Sequence, residues 1–318
     1  MNRKGFTYVL SVALLLAVIV LVFLTGIEPR YQDDTELVRA RVVSMNDFVT
    51  NLESDINRAT YITSFRALLS LEDYVASQGE FLNDTEVAFI EAFENGTIVG
   101  TNATLMNDST FTDYLNRVNA LGGEVGFSID LSIQDVQLFH LNPWSVAVAV
   151  NLTIVLDDNL GVATWNTTET FVTEVPIFDL RDPLYSSNTQ NRVVNTIRQF
   201  PYDPPVNESN TTTYLEEFAN TSAYLANTEA PSFLQRFENN ISPSPYGIES
   251  IVNVVELSTQ DISVDADRVK LDYIYFNNQT VASTICDLEN VASELAVILP
   301  DTRVSDYNLG GINYSTSC

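Results

Sequence analysis

Residues 5–27 read GFTYVLSVALLLAVIVLVFLTGI, and no charged side chain interrupts them between Lys4 and Glu28. A helix over this run is about 30 Å long, enough to cross the hydrocarbon core of a bilayer. A cleaved secretory signal has a shorter apolar region, roughly 7–15 residues, followed by a small-x-small site. Here the run ends in Val22-Phe23-Leu24-Thr25-Gly26, with large residues where small ones are needed. The stretch therefore predicts a retained anchor. Arg3 and Lys4 precede it, and Glu28, Asp33, Asp34 and Glu36 follow it. Basic flanks stay on the cytoplasmic side, which places the N-terminus inside and the rest of the chain outside. No second stretch is long and apolar enough to span, so a single-pass anchor carrying an exported body is expected.

Working outward, Gly26 and Pro29 are expected to interrupt the helix just past the bilayer, since proline lacks the N–H and clashes with the preceding turn. Helical pattern then resumes. Val38, Val42, Met45, Val49, Leu52, Ile56 and Ala59 are spaced 4-3-4-3-4-3, with Ile62, Phe65 and Leu69 continuing more loosely. Such a narrow apolar stripe is a seam that must lie against something. The chain's own sheet is one partner, and the same helix in a second copy is the other.

Two features test an exported body. Asn-x-Ser/Thr, the acceptor for N-glycosylation, occurs at Asn83, Asn95, Asn102, Asn107, Asn151, Asn166, Asn207, Asn210, Asn220, Asn278 and Asn313. A twelfth match at Asn240 is disfavoured because Pro243 follows its serine. With 29 Asn, and Ser plus Thr at 55 of 318 residues, chance supplies about 5 matches. The excess begins only at Asn83, beyond the membrane helix; the plainer alternative is an Asn- and Thr-rich composition. The second feature is the pair of cysteines, Cys286 and Cys318, which an oxidising exterior would join. Closing that loop would contribute roughly 3–4 kcal/mol on the chain-entropy account. Two separate thiols are the alternative.

Charge limits the partners. The chain holds 42 acidic against 15 basic residues, a net charge of −27, with lysine only at Lys4 and Lys270. Such a surface repels nucleic acid and anionic headgroups. It is the balance seen in salt-loving archaea, where about 1 M salt screens charges within roughly 3 Å. Asp157-Asp158-Asn159, and the group Asp265, Asp267 and Asp272, are turn and solvation residues on this reading, because no calcium-loop spacing is present. The lone His140 excludes most His-rich metal sites and leaves a triad only through that residue, and there is no nucleophile elbow, phosphate loop or zinc-helix motif. Enzyme, metal and cofactor are not expected.

The remaining pattern gives α+β. Two short helices between Asp84 and Gly122 flank a sequon-rich loop. Phe127 to Ile133, Val146 to Leu156 and Phe171 to Ile177 alternate as strands, joined by turns at Asn142-Pro143 and Asp157 to Gly161, so an antiparallel meander follows. Asn151 falls on the solvated face of the middle strand. Beyond Asp182-Pro183, Pro201 to Asn210 is a connection and Tyr214 to Phe237 is helical apart from Pro231. Val269, Leu271, Tyr273 and Tyr275 read as a strand, and Ile285, Leu288, Val291, Leu295 and Ile298 as an amphipathic helix. The organisation is then residues 1–28 signal and transmembrane helix, 29–80 amphipathic stalk, 81–182 extracellular domain with the meander, and 183–318 a second extracellular region of helices and strands.

Arg3-Lys4-Gly5-Phe6-Thr7 with the apolar run resembles the class III signal of type IV pilins and their archaeal relatives. The resemblance implies cleavage between Gly5 and Phe6, and an apolar helix that stays on as the packing core of a filament. The family's usual Glu five residues after the cut is Leu10 here. More loosely, Asp182-Pro183-Leu184-Tyr185 and Tyr246-Gly247-Ile248-Glu249-Ser250 resemble stretches in archaeal surface proteins. The expected function is a membrane-anchored, N-glycosylated, pilin-like surface subunit, structural or adhesive, that self-associates through its N-terminal helix. The alternative is an anchored extracellular module that binds a ligand without polymerising.

Overall fold

The computed structural model describes residues 3–201, 211–265, 267–277, 285–288, 297–307 and 309. The architecture is mixed α+β, with antiparallel pairing in its two-stranded sheets. Two compact units emerge: Met1–Ile56 with Val118–Leu131 and Ile154–Thr167, and Asn57–Arg117 with Ser132–Thr153 and Thr168–Cys318.

Helix α1 runs without a break from Arg3–Gln78. The expected interruption at Gly26 and Pro29 is absent. Proline there removes only the single bond to the carbonyl four residues back, and the helical bonds on both sides carry the backbone through. In α1, side chains are described for residues 12–22 and from residue 35 onward. Among the described residues, no helix is long and apolar enough to cross a membrane.

The first unit is a small core. Met45, Val49, Leu52 and Ile56 of α1 are buried, as are Phe127, Ile129, Leu131, Ile154 and Leu156. Phe48 and Phe127 approach to 5.9 Å between ring centres. Arg41 is paired with Asp158, whose Oδ2 also accepts from the N–H groups of Leu160 and Val162 at 3.1 and 3.2 Å. That makes Asp158 the organiser of the turn that follows it, as its residue type predicts. Gly122 is needed by packing: a Cβ there would lie 2.6 Å from Ile129 Cγ1.

In the second unit the α1 seam continues through Thr60, Thr63, Ala67, Leu68, Leu71 and Val75, all buried. Ile62 is 44% exposed, so the expected continuation through Ile62 is one residue out of phase. Helix α2 (Thr85–Asn95) is capped by the Asp84 side chain at Val87 N, and ends at Gly96, whose φ of 72° suits only a residue without Cβ. A short hairpin (β1 Thr97–Ile98, β2 Thr101–Asn102) and a 3₁₀ turn (Thr104–Met106) lead to α3 (Phe111–Val125). Thr110 and Asp113 cap α3 reciprocally, at 3.0 and 3.1 Å.

Strands β3 (Phe127–Asn142), β4 (Ser145–Asp158) and β5 (Thr164–Pro176) form a sheet in that order. The short turns between neighbours make it the expected meander. β3 is twice as long as its clean alternation suggests. Its burial phase slips by one residue between Ile133 and Val136, the signature of a bulge.

Beyond β5 come α4 (Pro183–Asn188), α5 (Thr211–Thr221), β6 (Leu225–Ala226), α6 (Phe233–Phe237), β7 (Ile248–Glu249), α7 (Val254–Thr259), α8 (Asp272–Asn277), β8 (Ile285–Asp287), β9 (Ile298–Pro300) and α9 (Asp301–Asp306). The long helix expected over Tyr214 to Phe237 is thus two short helices and a strand. Two further corrections follow. Val269 to Tyr275 is not a strand: α8 starts at Asp272, and every residue from Val269 to Tyr275 is buried, so alternation carries no information there. The helix expected over Ile285 to Ile298 has strands at both ends, β8 pairing antiparallel with β9 in the register Cys286↔Leu299. Cys286 and Leu288 are buried while Ile285 and Asp287 are exposed, a period of two. Most of the connection Pro201 to Asn210, and residues 289–296, lie outside the described residues.

Candidate functional site

Three places carry the residues singled out from sequence. The first is the N-terminal part of α1. All eleven side chains from Val12 to Val22 are exposed and apolar on every side of the helix, with Leu14, Leu15, Leu16, Leu21 and Val22 more than half exposed. A helix apolar all round is found in a protein core or in lipid. Further along, Leu37, Val38, Val42 and Val43 are also exposed. The seam is therefore covered by the chain itself only from Met45 onward. Gly5 and Phe6 lie in the helical backbone of α1.

The second is the set of glycosylation sequons. Asn83, Asn95, Asn102, Asn107, Asn166 and Asn220 are exposed. Asn151 is only half exposed, and its Oδ1 is buried without a partner among the described residues. The expectation of a fully solvated Asn151 is corrected accordingly: the middle strand of a sheet leaves less room than an edge. Asn207, Asn210, Asn278 and Asn313 lie outside the described residues. So does Cys318; Cys286 is fully buried, and no cysteine among the described residues is free.

The third is where the stretches Asp182 to Tyr185 and Tyr246 to Ser250 meet. Asp182 caps α4 with its Oδ1, and Pro183 occupies the first turn, where a missing N–H costs nothing. Its Oδ2 accepts from Arg236 Nη1 at 2.6 Å and from the Tyr224 hydroxyl at 2.6 Å. The same Arg236 nitrogen reaches Asp272 Oδ2 at 2.8 Å, and Nη2 donates to the Ile248 carbonyl. Ser250 donates to Asp272 at 2.9 Å and lies 3.2 Å from the Tyr185 hydroxyl. Gly247 makes the approach possible, since a Cβ there would sit 2.1 Å from the Ala230 carbonyl oxygen. A neighbouring cluster centres on Glu249, which accepts from Tyr307 at 2.6 Å and lies 2.9 Å from Arg303 Nε.

Arg236, Asp182 and Asp272 are all 0% exposed. Burial raises the Asp182 carboxyl above its ordinary range, against the pull of Arg236 and with the push of Asp272. Burial likewise raises Glu249, opposed by Arg303. The guanidinium of Arg236 stays charged, because two carboxylates outweigh the cost of its burial. Closed off from solvent, Arg236, Asp182 and Asp272 tie together chain segments that are far apart in sequence. Asp272 thus belongs to the interior, which corrects its reading as a solvation residue. Asp265 keeps a turn role, its Oδ1 accepting from Asp267 N at 3.1 Å.

Sequence reasoning noticed both stretches but missed Arg236, the residue that joins them. The available signal was one arginine inside Phe233-Leu234-Gln235-Arg236-Phe237, an apolar run that would bury it. His140 lies within β3, where it stacks on Tyr246 at 5.5 Å and its Nε2 accepts from Leu234 N at 3.4 Å. Burial lowers its pKa to about 4, with the backbone of Asn142 and Ser145 pulling the other way. Among the described residues no group of three or more His, Cys, Asp or Glu is arranged to hold a metal ion. No family profile, curated protein or solved structure matches the chain.

Proposed function

We propose that the chain is a membrane-anchored, N-glycosylated surface protein, a pilin-like structural or adhesive subunit that associates with copies of itself through the N-terminal part of α1. The observation that carries this reading is the run Val12 to Val22, exposed on all sides of one continuous helix whose later half is packed into the body. Lipid, or the same run in neighbouring copies, is the environment that such a surface fits. Because Met45 to Val75 is already covered by the chain's own core, association is confined to residues before Met45. Burial of Cys286 beside β9 suits a bridge to Cys318 that ties down the C-terminus.

On the second reading the body is an anchored monomer that binds a ligand outside the cell. The N-terminus of the native protein separates the two. A mature chain beginning at Phe6, pelleting with membranes and forming filaments on sheared cell surfaces, supports the pilin-like role. An intact Met1 on a monomer in detergent supports the simple anchor. Recovery from the soluble cytosol without detergent overturns both.

A further inference from the structure

We infer that, among the described sequons, Asn102 is the acceptor that the folded body offers to a glycan transferase, and that the fold itself closes the others. The inference rests on the proposal that the body is exported and glycosylated. Transfer needs two groups within reach: the acceptor amide, and the hydroxyl two residues on that completes the motif. In the reaction Asn102 Nδ2 attacks the anomeric carbon of a glycan carried on a lipid-linked phosphate. The bond from that carbon to the phosphate oxygen breaks, the phosphate departs with the electron pair, and the amide nitrogen gives up one proton.

Exposure of asparagine does not distinguish the sequons, but the state of the hydroxyl does. For Asn83 the hydroxyl is that of Thr85, which is 2% exposed and donates to the Leu234 carbonyl at 3.1 Å. For Asn95 it is Thr97, held by Glu91 at 2.7 Å. For Asn107 it is Ser109, which accepts from Arg66 and donates to the Asn107 carbonyl at 3.1 Å. For Asn220 it is Ser222, 4% exposed with its oxygen buried. The hydroxyls serving Asn151 and Asn166, Thr153 and Thr168, engage each other at 3.0 Å across β4 and β5, although Thr168 is exposed.

Asn102 differs in the state of its hydroxyl. It ends the two-residue strand β2, and Thr104 opens a short 3₁₀ turn; both side chains are exposed. Among the described residues the Thr104 hydroxyl has no hydrogen bond, and the amide of Asn102 makes one long side-chain bond, donating to Asn107 Oδ1 at 3.3 Å. Beside it lies an open groove of about 110 Å³ shared with Ser70, Asp73 and Tyr74 of α1.

The test is site-by-site glycopeptide mass spectrometry on the full-length chain from its native membrane. Expected is occupancy at Asn102 about tenfold above that at Asn83 and Asn220, roughly the factor that freeing one buried hydroxyl costs. The Thr104→Ala variant, which truncates an exposed side chain, should lose that sugar without a change in melting temperature. Equal occupancy at Asn83, Asn102 and Asn220 would show transfer to the unfolded chain and overturn the inference, as would a Thr104→Ala protein that keeps its sugar. Carbohydrate at none of the sequons, on a chain that still pellets with membranes, would instead remove the glycoprotein proposal on which the inference rests.

Discussion

Two stretches of α1 share one helical backbone, yet the protein treats them differently. From Val12 to Val22 every side chain is apolar and exposed; from Met45 to Val75 a narrow stripe is buried and most of the remaining surface is polar. The difference lies in angular width. A stripe can be covered by one neighbouring layer, whereas a helix apolar on all sides needs a surrounding medium. Stability should therefore reside in the later stretch and attachment in the earlier one.

Removal of residues 6–25 should give the largest effect, abolishing sedimentation with membranes while the body's melting temperature is retained. A body that still pellets would end the division. Next in size, Leu71→Ala in the buried stripe should cost about 2–5 kcal/mol in denaturant unfolding. Leu16→Ala, exposed in the same helix, should stay within about 0.5 kcal/mol. Equal losses would break the comparison.

The buried stretch also has a pH signature. Burial raises Glu72 from 4.5 to about 8, against the Arg181 N–H and its charge and aided by Asp182 and Asp73. The folded chain keeps a proton that the unfolded chain releases above pH 4.5. Stability should thus fall as pH climbs from 4.5 toward 8, on the order of 1 kcal/mol per pH unit. Glu72→Gln should flatten that limb. His140, pushed from 6.5 down to about 4, works in the opposite sense, its contribution being lost as pH falls from 6.5 toward 4. The smallest effect sharpens the phase of the stripe: Ile62→Lys should change stability by no more than about 0.5 kcal/mol, because Ile62 faces water.

That phase shows how far the sequence could be read. Spacings of three and four located Met45, Val49, Leu52 and Ile56 correctly. A straight helix drifts by about 20° per heptad against such a repeat, so the buried line moves onto Thr60 and Thr63, small polar residues that a hydrophobicity reading passes over. The meander was legible because most of each strand alternates between a buried face and a more open one. The segment from Val269 to Tyr275 was not, because burial on all sides erases the contrast from which periodicity is read. Of the buried cluster, Asp182 and Tyr246 to Ser250 attracted notice, but the partner that unites them lies in another segment, and only three-dimensional contact reveals it.

The enclosure of Arg236 between two aspartates has a bearing on desalting. Dissolved ions crowd around the exterior of a molecule with net charge −27 and blunt its self-repulsion, but they cannot enter a pocket with no exposure. Dilution from brine to fresh water therefore loosens the molecule from the outside, and the arginine and its two acids should be among the last contacts to part.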